Sequence, residues 1–142
     1  MKRSFVEDYG TGLASEDALL SQLRILDPSL KKTRCATHPF DFVNPTSTCF
    51  VELKTRSNAK DKYPTTMVSQ SKIKWANEYY PADFYFAFKF TDGLFYIKYD
   101  SGLFATFEVA QAGRFDRGRP ELNQYCFIPV NHLVPLLPPE AD

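Results

Sequence analysis

Four phenylalanines at alternate positions, Phe84, Phe86, Phe88 and Phe90, followed by Asp92-Gly93, constrain this chain more than any other feature. Alternation with period two is the pattern of a strand, and a strand with four rings on one face needs a covering layer. Asp-Gly is a strong signal for a two-residue hairpin turn. With that turn Phe90 pairs with Phe95, Phe88 with Ile97 and Phe86 with Tyr99. One face of the hairpin is then wholly apolar, while Lys89 sits beside Tyr96 on the other. The aromatic stripe reads as core, not as a stacking platform.

A chain of 142 residues suits one domain, residues 1–142, large enough for a single hydrophobic core. The 13 Phe and 8 Tyr supply much of that core's volume. The 17 basic and 17 acidic residues cancel, which argues against coating a polyanion through overall charge but permits a local basic patch. No apolar run approaches the ~20 residues of a membrane helix. Met1-Lys2-Arg3-Ser4 is not followed by a signal-peptide core. The expectation is an intracellular protein without membrane contact, in a cytoplasmic, nuclear or virus-associated setting. Cys35, Cys49 and Cys126 form no CxxC spacing, and His38 and His132 lie far apart, which argues against a His/Cys metal centre.

The first helix is expected to start near Ser15, with Glu16 and Asp17 at the positive end of its dipole and Pro28 marking the stop. Leu19, Leu20, Leu23 and Leu26 form its apolar stripe, and Glu16 shares the face of Leu19 and Leu20. Strands follow over 32–37, 40–43 and 48–56, the last two joined by the turn Asn44-Pro45-Thr46-Ser47. Residues 63–68 read as a loop or short strand. A second helix is expected over 69–80, with Ile73, Ala76 and Tyr80 inward and Pro81 ending it. After the hairpin, strands are expected over 103–109 and 125–130, with Arg114, Arg117 and Arg119 in a loop between them.

The strand Cys49-Phe50-Val51-Glu52-Leu53-Lys54-Thr55 carries two opposite charges inside an apolar run. Phe50, Glu52 and Lys54 share one face, so the two charges lie roughly 6–7 Å apart and point the same way. If Val43 pairs with Thr48, Asp41 faces Phe50 and becomes a diagonal neighbour of Glu52, about 7–8 Å away. A register changed by one residue would send Asp41 to the other face. Two carboxylates and a lysine placed so can organise a metal ion and a water molecule. The other reading is an ordinary ion pair on a solvated face.

Asp41, ten intervening residues, then Glu52-Leu53-Lys54, set in the order helix, three strands, helix, more strands, resembles the PD-(D/E)xK nuclease superfamily. The resemblance covers roughly Ser15 to Tyr99 and implies a restriction-endonuclease-like α/β fold. That fold has an αβββαβ core, a central mixed sheet flanked by helices, here with extra C-terminal strands. The stretch from Val51 to Arg56 and the Gln70/Lys72 region look most like Holliday-junction resolvases and related recombination and repair nucleases. The resemblance implies Mg²⁺ or Mn²⁺ held by Asp41, Glu52 and the carbonyl of Leu53. It also implies Lys54 beside the reacting water or phosphate, Glu16 as a further acid near the metal, and Gln70 and Lys72 directed inward from the second helix.

Chemistry on the residues themselves points the same way. Carboxylates are hard ligands suited to Mg²⁺ or Mn²⁺, which acidify bound water. Between Lys54 and Lys74 the chain carries Arg56, Lys60, Lys62 and Lys72 against Asp61, a basic strip suited to a phosphate backbone. Lys60 and Lys62 are equally explained as a solvated loop, and Lys72 and Lys74 as exposed solubilising residues. The expected activity is a metal-dependent endonuclease on DNA, with branched or recombination intermediates as substrate and a homodimer placing two sites for paired cuts. The alternatives are a non-catalytic nucleic-acid- or protein-binding module on the same fold, or an RNA endonuclease.

Overall fold

The computed structural model describes residues 19–33, 40–114 and 121–136. Helical residues 19–23 (α1) lead to β1 (Lys31–Lys32), β2 (Phe42–Val43) and β3 (Cys49–Thr55). After a 3-10 turn at Lys60–Lys62 come β4 (Thr65–Ser69), α2 (Gln70–Glu78), β5 (Asp83–Phe90) and β6 (Gly93–Lys98). The short α3 (Ser101–Phe104) precedes β7 (Glu108–Arg114), β8 (Glu121–Pro129) and β9 (Val134–Pro135).

Six strands make a mixed sheet in the order β1-β2-β3-β5-β6-β9, and β4-β8-β7 make a second, antiparallel one. Among the described residues only β3 and β5 pair in parallel, and a parallel pair needs a crossover, which β4 and α2 supply. Parallel strands at the centre of a sheet are covered on both sides, and β3 is buried from Cys49 through Glu52. Its Phe50 face joins Phe84, Phe86, Phe88 and Phe90 under α2 and the second sheet. Its Val51 face joins Ala87, Phe42 and Leu94 against Leu19, Leu23 and Leu30. The result is the restriction-endonuclease-like arrangement: a central mixed sheet between helices, with extra strands. Among the described residues no helix is long and apolar enough to cross a membrane.

Two hairpin registers differ from those expected, each by two residues. Val43 pairs with Phe50, not Thr48, because Asn44 organises a longer loop. Its Oδ1 accepts from the amides of Thr48 (2.8 Å) and Cys49 (3.0 Å), while Nδ2 donates to Thr48 Oγ1 (2.9 Å) and Asp27 Oδ2 (3.1 Å). Likewise Phe90 pairs with Gly93, Phe88 with Phe95 and Phe86 with Ile97, so the turn is Thr91-Asp92 and Gly93 opens the return strand. Gly93 has φ +155°, which side-chain-bearing residues rarely adopt, and a Cβ there would lie 3.3 Å from the Phe95 ring. A slip of two keeps every side chain on its own face. The faces, and with them the apolar stripe, stand as expected.

Other boundaries moved for local reasons. Residues 65–69 form a full strand that pairs with β8. Ser69 caps α2, accepting from the Ser71 amide at 3.3 Å, and Ile73 and Ala76 face inward as expected. Tyr80 does not: the helix ends at Glu78 and Tyr80 is 84% exposed. Leu103 lies in α3 rather than a strand, because Asp100 caps a helical turn by accepting from the Leu103 amide at 2.9 Å. The expected first-helix start, the strand beyond Thr33, and Arg117 and Arg119 lie outside the described residues.

Asn44 is 7% exposed, and truncating it leaves two amides and two side-chain partners to find other bonds. Asn44→Ala is expected to lower unfolding stability by about 2 kcal/mol, read by urea denaturation.

Candidate active site

The carboxylates and lysines meet where β2 gives out alongside β3. The β2 ladder engages odd-numbered residues of β3: Asn44 donates to the Cys49 carbonyl and Asp41 to that of Val51, both at 3.1 Å. The amide and carbonyl of Leu53 therefore point to the same edge, beyond paired β2. Asp41 Oδ2 accepts from that Leu53 amide at 2.8 Å, so the carboxylate is anchored to the strand that carries the other site residues. The loop register thus brings Asp41 alongside Glu52 and leaves the Leu53 carbonyl on the same edge as the amide that Asp41 accepts from.

Glu52 is 3% exposed, against Phe86 of β5 in register. Two cations reach its Oε2: Lys72 Nζ from α2 at 3.3 Å and Lys54 Nζ from its own strand at 3.7 Å. Burial pushes the Glu52 carboxyl up to about 7, helped by the hydrogen bond and charge of Asp41 and opposed by Lys54 and Lys72. The lysines do not fully offset the loss of water and the second carboxylate. An additional cation among these oxygens would fit that imbalance, and two carboxylates with a carbonyl are donors a hard divalent ion prefers.

Lys72 is held by its surroundings. Its ammonium lies 5.6 Å over the Phe40 ring, next in sequence to Asp41. Phe40 and Phe50 both pack on Trp75, at 5.1 and 5.2 Å between centroids, which fixes α2 over the site. Lys54 keeps 40% of its side chain exposed and is the site cation most accessible to an incoming substrate.

Other expected residues are placed elsewhere. Gln70 lines clefts to which Glu52 does not contribute, one with Ile73, Asn77 and Phe104, and among the described residues its buried Oε1 has no hydrogen-bond partner. Lys74 is exposed on α2 beside Ser71 and Gln124. Arg56 fastens β3 to β4: Nε donates to Thr66 Oγ1 at 3.2 Å, Nη2 to the Met67 carbonyl at 2.7 Å, and the guanidinium covers the Phe88 ring at 5.7 Å. Lys60 pairs with Asp61 at 2.8 Å, and Lys62 lies 5.7 Å over the Tyr63 ring. Glu16 lies outside the described residues. Sequence reasoning missed the Asp41–Leu53 bond and the clamping role of Arg56. The alternation that puts Arg56 on the face of Glu52 and Lys54 was the available signal for the second.

A mixed sheet whose parallel central strand carries Glu-x-Lys, with an aspartate brought beside it from the preceding strand, defines the PD-(D/E)xK class. Within it, the model of the family described as "Phage putative PDDEXK endonuclease" matches residues 6–136. The chain belongs to that family, an endonuclease family by its description. No curated protein and no solved structure matches it.

Proposed function

We propose that this chain is a metal-dependent endonuclease that hydrolyses DNA phosphodiester bonds, acting on branched or recombination intermediates in the manner of a Holliday-junction resolvase. The observation carrying this reading is the convergence of Asp41, Glu52 and the Leu53 edge beneath Lys54. Mg²⁺ or Mn²⁺ held by the Asp41 and Glu52 carboxylates and the Leu53 carbonyl would supply Lewis-acid activation of water. Asp41 orients the β3 edge through the Leu53 amide. Lys54 places a point charge where a phosphate oxygen or the attacking water would sit. Lys72, drawn to Glu52 and seated on Phe40, positions that carboxylate. Paired cuts across a junction require two sites, which a homodimer supplies.

A second reading, a non-catalytic binding module, takes its support from the two lysines that already neutralise part of Glu52. One experiment separates them: cleavage of linear, flapped and four-way DNA, and of RNA, with Mg²⁺, with Mn²⁺ and in excess chelator. Strand scission that needs the divalent ion and is fastest on four-way DNA is the expected result. Full activity in chelator overturns metal dependence. Binding without scission on every substrate favours the module, and preference for RNA reassigns the substrate.

A further inference from the structure

Along the face of β3 that carries Glu52 and Lys54, the next residue is Arg56, about 7 Å further on at strand rise. There the structure opens a cleft of about 300 Å³. Its apolar side is Tyr63, Phe90, Phe127 and Val130; its polar rim includes Asn58 and Thr65. The rim is tied down on both sides. Thr91 donates to the Asn58 carbonyl at 3.1 Å and the Lys60 amide to Asp92 Oδ1 at 3.0 Å, while Val130 donates to the Pro64 carbonyl at 3.0 Å.

The two cations at this cleft are committed elsewhere. Arg56 spends its guanidinium on β4 and on Phe88, and Lys60 is paired with Asp61 and seated over the Phe95 ring at 5.5 Å. A phosphate would therefore find little free charge. A flat aromatic group would find Tyr63, 54% exposed, and an apolar floor in Phe90. Asn58 gives Nδ2 to the Ala59 carbonyl at 2.8 Å. Its Oδ1 and the Thr65 hydroxyl have no hydrogen-bond partner among the described residues, so they are available to a base edge. The volume lies at the small end of ligand sites, which suits one nucleotide and not a duplex.

We propose that this cleft receives a single unpaired nucleobase from the strand whose backbone crosses Lys54. It would thereby favour substrates with an unpaired nucleotide beside the cut. The proposal rests on reading the Asp41–Lys54 site as a nuclease, and names the substrate feature that site selects.

The test is equilibrium binding of a short single-stranded oligonucleotide carrying 2-aminopurine, followed by fluorescence in chelator so that no turnover intervenes. Stacking is expected to quench the probe, with an abasic counterpart and the fully paired duplex each bound about tenfold more weakly. Tyr63→Ala is expected to weaken probe binding about tenfold with an unchanged melting temperature, since the ring is largely exposed. Thr65→Val, which keeps the side-chain volume, is expected to change the ranking of the four bases. Equal binding of abasic and base-bearing strands, or an unaltered quench in Tyr63→Ala, overturns the cleft assignment. A protein that cuts DNA without quenching the probe loses only this proposal. One that quenches but never cuts retains the nucleobase cleft and loses the nuclease reading, and with it the preference beside a cut.

Discussion

Lys54→Ala is expected to slow DNA cleavage by roughly 10²–10⁴-fold in single-turnover assays at saturating Mg²⁺. The loss should fall on the chemical step, because the ammonium acts on charge that builds up at the reacting phosphate or its attacking water. Stability should change little. The side chain is 40% exposed and its contact with Glu52 is long, at 3.7 Å, so the pair adds little to folding. Lys54→Arg keeps the charge but replaces a compact ammonium with a planar fork, and partial recovery is expected. Lys72→Ala should cost less, since Lys72 acts through Glu52. Asp41→Asn separates structure from chemistry: an amide oxygen can still accept from the Leu53 amide, but the anionic ligand is gone. It should fold normally and cut as poorly as Lys54→Ala. Wild-type rates in Lys54→Ala would place the reaction elsewhere on the molecule.

The parts of this site that were legible in the sequence lie on one strand and its hairpin partner. Period-two alternation fixes that Glu52 and Lys54 share a face, and an even slip in the loop cannot move Asp41 off it. The size of the slip was not legible, because it depends on Asn44 gathering the Thr48 and Cys49 amides, which spacing alone does not reveal. The resulting register brings Asp41 closer to the site than the expected diagonal. Residues on α2 were harder to place. Lys72 and Gln70 are two apart on a helix, some 200° around its axis, so they cannot both face Glu52. The structure turns Lys72 toward it, while Gln70 lines a cleft that also includes Phe104. The local partners of the basic strip were hidden for a related reason. Charge counted along the chain does not show that Arg56 is half-buried as a clamp between strands while Lys60 answers Asp61.

Glu52→Gln is expected to stabilise the metal-free protein at pH 8. The carboxyl titrates near 7 in the fold against 4.5 for the free side chain, chiefly because it is buried and secondarily because Asp41 lies beside it. A raised acid binds its proton more tightly folded than unfolded. Folding stability is therefore fully favoured below about pH 4.5, falls as pH rises from there to about 7, and stays low above. The gap corresponds to a penalty on the order of 3 kcal/mol for holding the ionised carboxylate. Glutamine has nearly the same shape and no charge to bury, and Lys54 and Lys72 keep 40% and 23% of their side chains exposed to solvate their charge once Glu52 is neutral. In chelator, the variant's melting temperature should exceed the wild type's by several degrees at pH 8, and the two should converge near pH 4.5. Mg²⁺ at about a thousandfold excess over Kd reverses the comparison, because a ligand that binds only the folded wild-type site stabilises it by mass action, there by about 4.1 kcal/mol. A wild type indifferent to Mg²⁺ and already the more stable at pH 8 would mean that Lys54 and Lys72 satisfy Glu52 completely. The carboxylate would then be a structural charge and not a metal ligand.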